Sequence, residues 1–404
     1  MPKNKLENVV NRFIKEYYVP RLVSGLRSIG RQDLESVSEK VADRILKGGR
    51  IFAFGNGGSE SISEAFIYSL EQRVGYEFEF DTYSNPKLSE ATDFPNSLLF
   101  NHRIKRSARN GDLALLASAS GNSDNINNAS VLCREKKVET ISVSADGRIS
   151  NDPMTKADYA VIIPIKDQQI LEDVTLGFIY LITQLAQYKT AGTRFNLEEV
   201  RLDYADALFH GLRGLSSANI ISLTYKIIAA YKDGKSVRID APDSGLLSIN
   251  AKHMQHNLKW DVFQNVENRL RNRVHSGLPT YHFSGVGNDG GEGFNYTIEV
   301  DDNSGQDDVQ IFLARDLNSK SVQHAIRTAD RKGMTVYSFC HNSCDEYVSS
   351  NVAQSLLHIT SRLINSTFLT EASDLAALGK QLRVDLALLR QKNQTAQKLE
   401  DAYR

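Results

Sequence analysis

The feature that most constrains this chain is that it resembles itself. Leu22-Val-Ser-Gly-Leu-Arg27 returns as Leu208-Phe-His-Gly-Leu-Arg213, and Gly48-Gly-Arg-Ile51 returns as Gly234-Lys-Ser-Val237 at the same separation. Further on, Gly111-Asp-Leu-Ala-Leu-Leu-Ala-Ser-Ala-Ser-Gly-Asn-Ser123 aligns with Asp307-Asp-Val-Gln-Ile-Phe-Leu-Ala-Arg-Asp-Leu-Asn-Ser319. That separation is about ten residues larger, which fits an insertion in loops of the second copy, where added length costs little. The period is far too long for a solenoid, so the pattern reads as a duplicated domain. A length of 404 residues agrees, since it exceeds what one hydrophobic core usually organises.

Both copies read alike. A helical lead-in (4–47, then 198–233) precedes a short apolar run, Ile51-Phe-Ala-Phe54 or Val237-Arg-Ile-Asp240. A turn and an amphipathic stretch follow, then a second run, Leu113-Ala-Leu-Leu-Ala117 or Val309-Gln-Ile-Phe-Leu-Ala314. A third run is Thr140-Ile-Ser-Val-Ser144 or Thr335-Val-Tyr-Ser-Phe339, and the first copy adds Tyr159-Ala-Val-Ile-Ile-Pro-Ile165. Short apolar runs alternating with helices predict an α/β fold, a doubly wound parallel sheet flanked by helices in each copy. The expected boundaries are 1–195 and 196–368, with a helical tail over 369–404 that is rich in Leu, Ala, Lys and Gln.

Charge narrows the function. Lys and Arg number 48 against 49 Asp and Glu, without the basic surplus that phosphate-backbone binding demands, so no nucleic-acid partner is expected. No apolar run is long enough to span a bilayer, and the N-terminus lacks a secretory core, which predicts a cytoplasmic protein with no membrane partner. Three cysteines at scattered spacing, Cys133, Cys340 and Cys344, fit a reducing compartment without structural disulfides.

Two strand-to-helix turns carry chemistry. Gly55-Asn-Gly-Gly-Ser-Glu-Ser61 lets the backbone approach a ligand and opens a helix near Ser59, whose amides and dipole suit an oxyanion. It is neither a Walker loop, having no Gly-Lys-Ser/Thr, nor the dinucleotide fingerprint, whose third glycine would fall at Glu60. Ser118-Ala-Ser-Gly-Asn-Ser123 crowds hydroxyls at the carboxyl end of the second strand, where open α/β sheets bind ligands. Hydroxyls donate to phosphate oxygens without a fixed charge, and ordinary capping needs one such residue rather than several.

Together these turns resemble those of the SIS (sugar isomerase) family, above all the phosphoheptose isomerases, across residues 1–190. The resemblance implies a three-layer, flavodoxin-like sandwich in each of two tandem copies, a sugar phosphate as ligand, and a homodimer or higher homo-oligomer. It implies that Asn56, Gly57 and Gly58 line the sugar and that Ser118, Ser120 and Ser123 grip the phosphate, with Ser59 and Asn122 also among the substrate-binding residues. Thr92-Asp93 stands where the family has Asn-Asp, making Asp93 a candidate for a sugar hydroxyl. The family's proton-transfer set, a His and a Glu on the helix after the glycine turn with a later Gln and His, can hold zinc. Here Ala65, Ser69, Leu171 and Ile179 occupy those positions. Glu60, Glu64, Glu172 and Asp173 are the carboxylates near enough to substitute, although Glu60 and Glu64 also read as a first-turn charge and a solvated face.

The second copy inverts the pattern. Its turns, Ala241-Pro-Asp-Ser-Gly245 and Arg315-Asp-Leu-Asn-Ser319, put Asp316 where a serine would meet phosphate, and a carboxylate there repels an anion. Yet His253 stands at the family's histidine position, with Asn257 in place of its glutamate and Gln354 a candidate for its glutamine. Gly285-Val-Gly-Asn-Asp-Gly290 fits a nucleotide fingerprint as a pattern, but a strand-like segment follows where the mechanism needs a helix. No dinucleotide, cofactor or metal is assigned. Sites in this family lie at subunit interfaces, so a tandem chain can form one internally, with Glu64, Glu172 and His253 as catalytic candidates. Two functions remain: a sugar-phosphate aldose–ketose isomerase, or a non-catalytic phosphosugar-binding or regulatory protein that has lost the His/Glu pair.

Overall fold

Apolar runs too short for helices became the strands of two parallel sheets in a computed structural model that describes residues 3–75, 98–145, 156–241, 244–256, 258, 280–283, 306–340 and 345–369. In the first sheet Ile51–Phe54 (β1), Leu113–Ala117 (β2), Glu139–Ala145 (β3) and Tyr159–Ile163 (β4) lie in the order β1-β2-β3-β4. Every neighbouring pair is parallel. All of β2 is buried, as a strand covered on both faces must be, which is why its sequence is apolar without alternation. The second sheet joins Val237–Asp240 (β5), Thr280–Phe283 (β6), Val309–Ala314 (β7) and Thr335–Cys340 (β8) in the order β6-β5-β7-β8, again all parallel.

The first lead-in resolves into Lys3–Arg12 (α1), a π-helical turn over Phe13–Tyr18, Val19–Ser28 (α2) and Arg31–Leu46 (α3). Gly58–Val74 (α4), Leu99–Ser107 (α5), Asp124–Glu135 (α6) and Gln168–Thr190 (α7) complete that half. Leu197–Arg213 (α8), Ser217–Lys232 (α9), Gly245–His256 (α10), Lys320–Arg331 (α11) and Glu346–Leu369 (α12) surround the second sheet. Side chains cap several helix starts: Asp167 accepts from Ile170 N, Asn196 from Glu198 N and Ser216 from Asn219 N. The break between α7 and α8 falls at Ala191–Asn196, where the helical pattern lapses. Among the described residues no helix is long and apolar enough to cross a membrane.

The two halves are not separate cores joined by a tether. The largest apolar cluster takes Leu22 and Leu26 from α2, Val174 and Leu181 from α7, Leu208 from α8, and Val352 and Ile359 from α12. The opposite face of α12 supplies Ala353, Leu357 and Ile364 to a second cluster with Ile227, Ile239 and Ile311. Close approach at this seam depends on Gly177 of α7: a Cβ there would meet Leu26 at 2.7 Å and Asn351 at 3.1 Å. Helices α4 and α7 from the first half thus pack on α10 and α12 from the second, and this four-helix contact builds the site.

Candidate functional site

Because β1 and β2 are parallel neighbours, their following turns open side by side at one edge of the first sheet. Asn56 and Asn125 lock the two turns together, each side-chain amide donating to the other's oxygen at 2.8 Å. Gly57 sits at φ +54°, a conformation that excludes most side chains, and sends the chain into α4. Asn56 is exposed, Gly57 half-buried, and Gly58 and Ser59 buried.

In the second turn Ser118 is buried and holds the loop, accepting from Gly121 N at 3.0 Å and meeting the Ser123 hydroxyl at 3.2 Å. Ser120 accepts from Asn122 N at 3.2 Å, and both residues are exposed. Ser123 occupies the N-cap of α6 without bonding to that helix's amides. The corresponding Ser319 does the ordinary work of a cap, accepting from Val322 N at 3.3 Å, while Asp316 accepts from Asn318 N at 2.8 Å. One turn therefore leaves its N-cap serine unbonded to the helix, and its counterpart closes on itself.

Behind the glycine turn lies a buried polar cluster drawn from both halves. Glu172 of α7 presses its carboxylate against Gly58; a Cβ on that glycine would stand 2.4–2.6 Å from the carboxyl atoms. From the other half, His253 of α10 places Nε2 at 3.7 Å and His358 of α12 places Nε2 at 3.3 Å from Glu172 Oε2. Gln168 donates to the remaining oxygen at 3.2 Å. Next to it Asp173, wholly buried, accepts from Tyr18 and Ser355 at 2.6 Å each and from Gln354 at 3.1 Å. The fourth partner of Asp173 is His358 Nδ1, at 2.8 Å. The π-helical turn at 13–18 is what delivers Tyr18 to this carboxylate.

Electrostatics separate the two histidines, whose rings stand edge to face with centroids 5.0 Å apart. Burial, and then the neighbouring His358, push His253 down to about 4, so its imidazole is neutral at physiological pH. Burial also disfavours charge on His358, but Asp173 and Glu172 outweigh it and raise that group to about 10. Burial alone would raise Glu172; the two histidines overcome it and hold the carboxyl below its ordinary range. His358 Nε2 meets only the Glu172 carboxylate, while His253 Nε2 and Gln354 Oε1 are buried without a close hydrogen-bond partner.

Of the residues expected from sequence to do chemistry, Glu172 and His253 meet. Glu64 is on α4 and buried, not on a solvated face, and lies outside the group formed by Glu172, His253 and His358. Asp93, Asn257, the Gly285–Gly290 loop and the tail beyond Leu369 fall outside the described residues. His358 was missed; its signal was a place one helical turn after Gln354 on the same face of α12. The zinc set implied by resemblance does not fit the first half: Ala65, Leu171 and Ile179 offer no ligand atom, and the Ser69 hydroxyl donates to Ala65 O at 2.5 Å.

Comparison with known proteins agrees with this geometry. Residues 17–145, which hold both turns, match the family model described as SIS domain. Phosphoheptose isomerase from Citrifermentans bemidjiense is 26% identical over 160 residues, covering 38% of this chain and 82% of that protein. Among solved structures, the C-terminal domain of glucosamine-fructose-6-phosphate aminotransferase from Francisella tularensis superposes with a TM-score of 0.56 at 13% identity, covering 87% of this chain and 94% of its own. Glucosamine-6-phosphate deaminase from Thermotoga maritima gives 0.54 at 10% identity, covering 89% and 94%. At such identities the likeness is one of fold, and it extends over both halves. The N-terminal half of this chain therefore carries an SIS domain.

Proposed function

We propose that this chain is a sugar-phosphate aldose–ketose isomerase built from two tandem SIS-type halves, residues 1–195 and 196–368, with a tail over 369–404. In this reading the first half binds the substrate and the seam between the halves acts on it. Ser118, Ser120 and Ser123 grip the phosphate with the N-terminus of α6, where Ser123 makes no side-chain cap bond and the helix dipole attracts an anion. Asn56, Gly57, Gly58, Ser59 and Asn122 line the sugar, with Asp93 reserved for a sugar hydroxyl. Similarity to the phosphoheptose isomerases over this stretch supports the ligand class.

Isomerisation moves one proton between adjacent carbons and another between their oxygens. Glu172 is the base for the carbon-bound proton: it is held in its charged form and abuts the glycine turn. His253, kept neutral, can give a proton from its ring to one sugar oxygen as it accepts from the other. His358 and Asp173 fix the position of Glu172 from behind. The observation that carries the reading is the contact of Glu172 with Gly58 on one side and with His253 on the other. The near-complete burial of the cluster favours a second reading, a phosphosugar-binding protein without turnover.

Deuterium incorporation from heavy water into sedoheptulose 7-phosphate or fructose 6-phosphate decides between them. Wild type should exchange, and His253→Ala and Glu172→Gln should reduce exchange by a hundredfold or more, about 10²-fold being the usual least worth of a positioned acid or base. Either sugar phosphate should raise the melting temperature of wild type, less so for Ser120→Ala and Ser123→Ala. Stabilisation without exchange selects the binding protein; neither effect removes the phosphosugar reading altogether.

A further inference from the structure

We propose that Asn125 is a positioning residue for the carbohydrate: its reciprocal amide pair with Asn56 fixes the edge that Asn56 turns towards the sugar, so Asn125 sets affinity for the sugar moiety and not for the phosphate. The pair stands on its own geometry, whereas its use rests on the phosphosugar-binding reading.

An asparagine amide carries two N–H donors and an oxygen with two lone pairs. The pair uses one donor and one lone pair of each residue, at 2.8 Å in both directions. Asn56 therefore keeps one N–H and one lone pair, in a fixed order, to offer a ligand. A side chain free to rotate about its last bond would present either order. Fixing it matters for a sugar, because a polar group built to meet one hydroxyl is left unpaired when that hydroxyl is missing or misdirected.

Asn125 is itself anchored on the phosphate side. It is the second residue of α6, half-buried, and its Oδ1 also accepts from Ile126 N at 3.0 Å. Contacts thus run from the start of α6 through Asn125 to Asn56 on the glycine turn. Asn56 is exposed, and a hydrogen bond in competition with water adds little to stability, so holding the fold together does not account for the tie. The repeat supplies a control. In the second half Pro242 stands at the place of Asn56 and Ser321 at that of Asn125, and neither has an amide side chain. Ser321 meets the Ser319 hydroxyl at 3.3 Å instead. The pair is therefore present beside the turn whose cap serine is unbonded to its helix, and lost beside the turn that closes on itself.

Calorimetric titration of the full chain with inorganic phosphate and with fructose 6-phosphate separates the two parts of the ligand. Asn125→Ala should weaken fructose 6-phosphate about 3–10-fold, the usual worth of one hydrogen bond. Its affinity for inorganic phosphate should not fall, because the substitution frees Ile126 N for the anion. In the Asn56→Ala background the same substitution should weaken fructose 6-phosphate no further, since the two residues act as one unit. Unchanged fructose 6-phosphate affinity in Asn125→Ala, equal losses for both ligands, or additive losses in the double variant overturns the role. The pair is read without any ligand in protein carrying ¹⁵N-labelled asparagine. The side-chain amide signals that vanish in Asn56→Ala should move in Asn125→Ala, and unmoved signals overturn the pair. In wild type, fructose 6-phosphate should shift those signals more than inorganic phosphate does, and equal shifts overturn the role even where Asn125→Ala fails to fold. Wild type that binds neither ligand removes the phosphosugar reading and the role of Asn125 with it, while the amide signals still decide the pair.

Discussion

Replacing Gly58 by alanine tests the junction on which the site depends. The new Cβ would meet the Glu172 carboxyl at 2.4 Å, and ordinary contact begins at 3.4 Å, so the group must retreat by 3.4 − 2.4 = 1.0 Å. A surface glutamate would swing aside at little cost, but this one is enclosed by Gln168, His253 and His358 at 3.2–3.7 Å. Overpacking of this kind costs about 1–3 kcal/mol. Against it stands the better helix propensity of alanine, at most about 1 kcal/mol and less at the first residue of a helix. The expected balance is a loss of about 1–2 kcal/mol in urea unfolding, with exchange activity falling in parallel. A double-mutant cycle with Glu172→Ala isolates the clash, because removing the carboxylate relieves it; a coupling of about 1–2 kcal/mol is expected. Gly58→Ala as stable as wild type, with additive behaviour in the cycle, would refute the contact and the catalytic role drawn from it.

Asp173→Ala strips the acceptor from Tyr18, Gln354, Ser355 and His358 together, and should cost more than about 3 kcal/mol by denaturant titration. A smaller loss means that these donors find other partners. Burial, aided by Asp158, pushes the Cys133 thiol up to about 12, so almost none is thiolate at pH 8. Peptide mapping after iodoacetamide treatment should find Cys133 unmodified in the native protein and alkylated once unfolded, and rapid native labelling would contradict its placement.

Much of the sheet and both turns could be read from residues, because apolar runs of strand length and glycine-serine turns have local causes. Leu113–Ala117 is apolar throughout since both its faces are covered, and Gly57 stands where φ is positive. The seam was harder. Glu172 and His253 attract notice singly, but their meeting depends on how α7 packs against α10 and α12, and no local pattern encodes that. His358 looked like one polar residue on a long helix, and Tyr18 gave no hint that a π-helical turn would aim it at Asp173. One available clue was the run from Ile170 to Ile182, whose apolar residues encircle α7 and mark it as a helix buried all round. Charged residues at the start of such a helix must find partners from another element, which is how Asp173 and Glu172 come to be joined to the second half.

The unequal use of Ser123 and Ser319 bears on saturation behaviour. A pair of identical subunits would offer equivalent docking places whose occupancies could influence one another. Here the later serine is already committed to its own helix and the earlier one is not, so titration should follow a simple hyperbola ending at a single equivalent per polypeptide. On the proposed reading, the second half then serves not as another receptor but as the wall that brings His253 and His358 to Glu172.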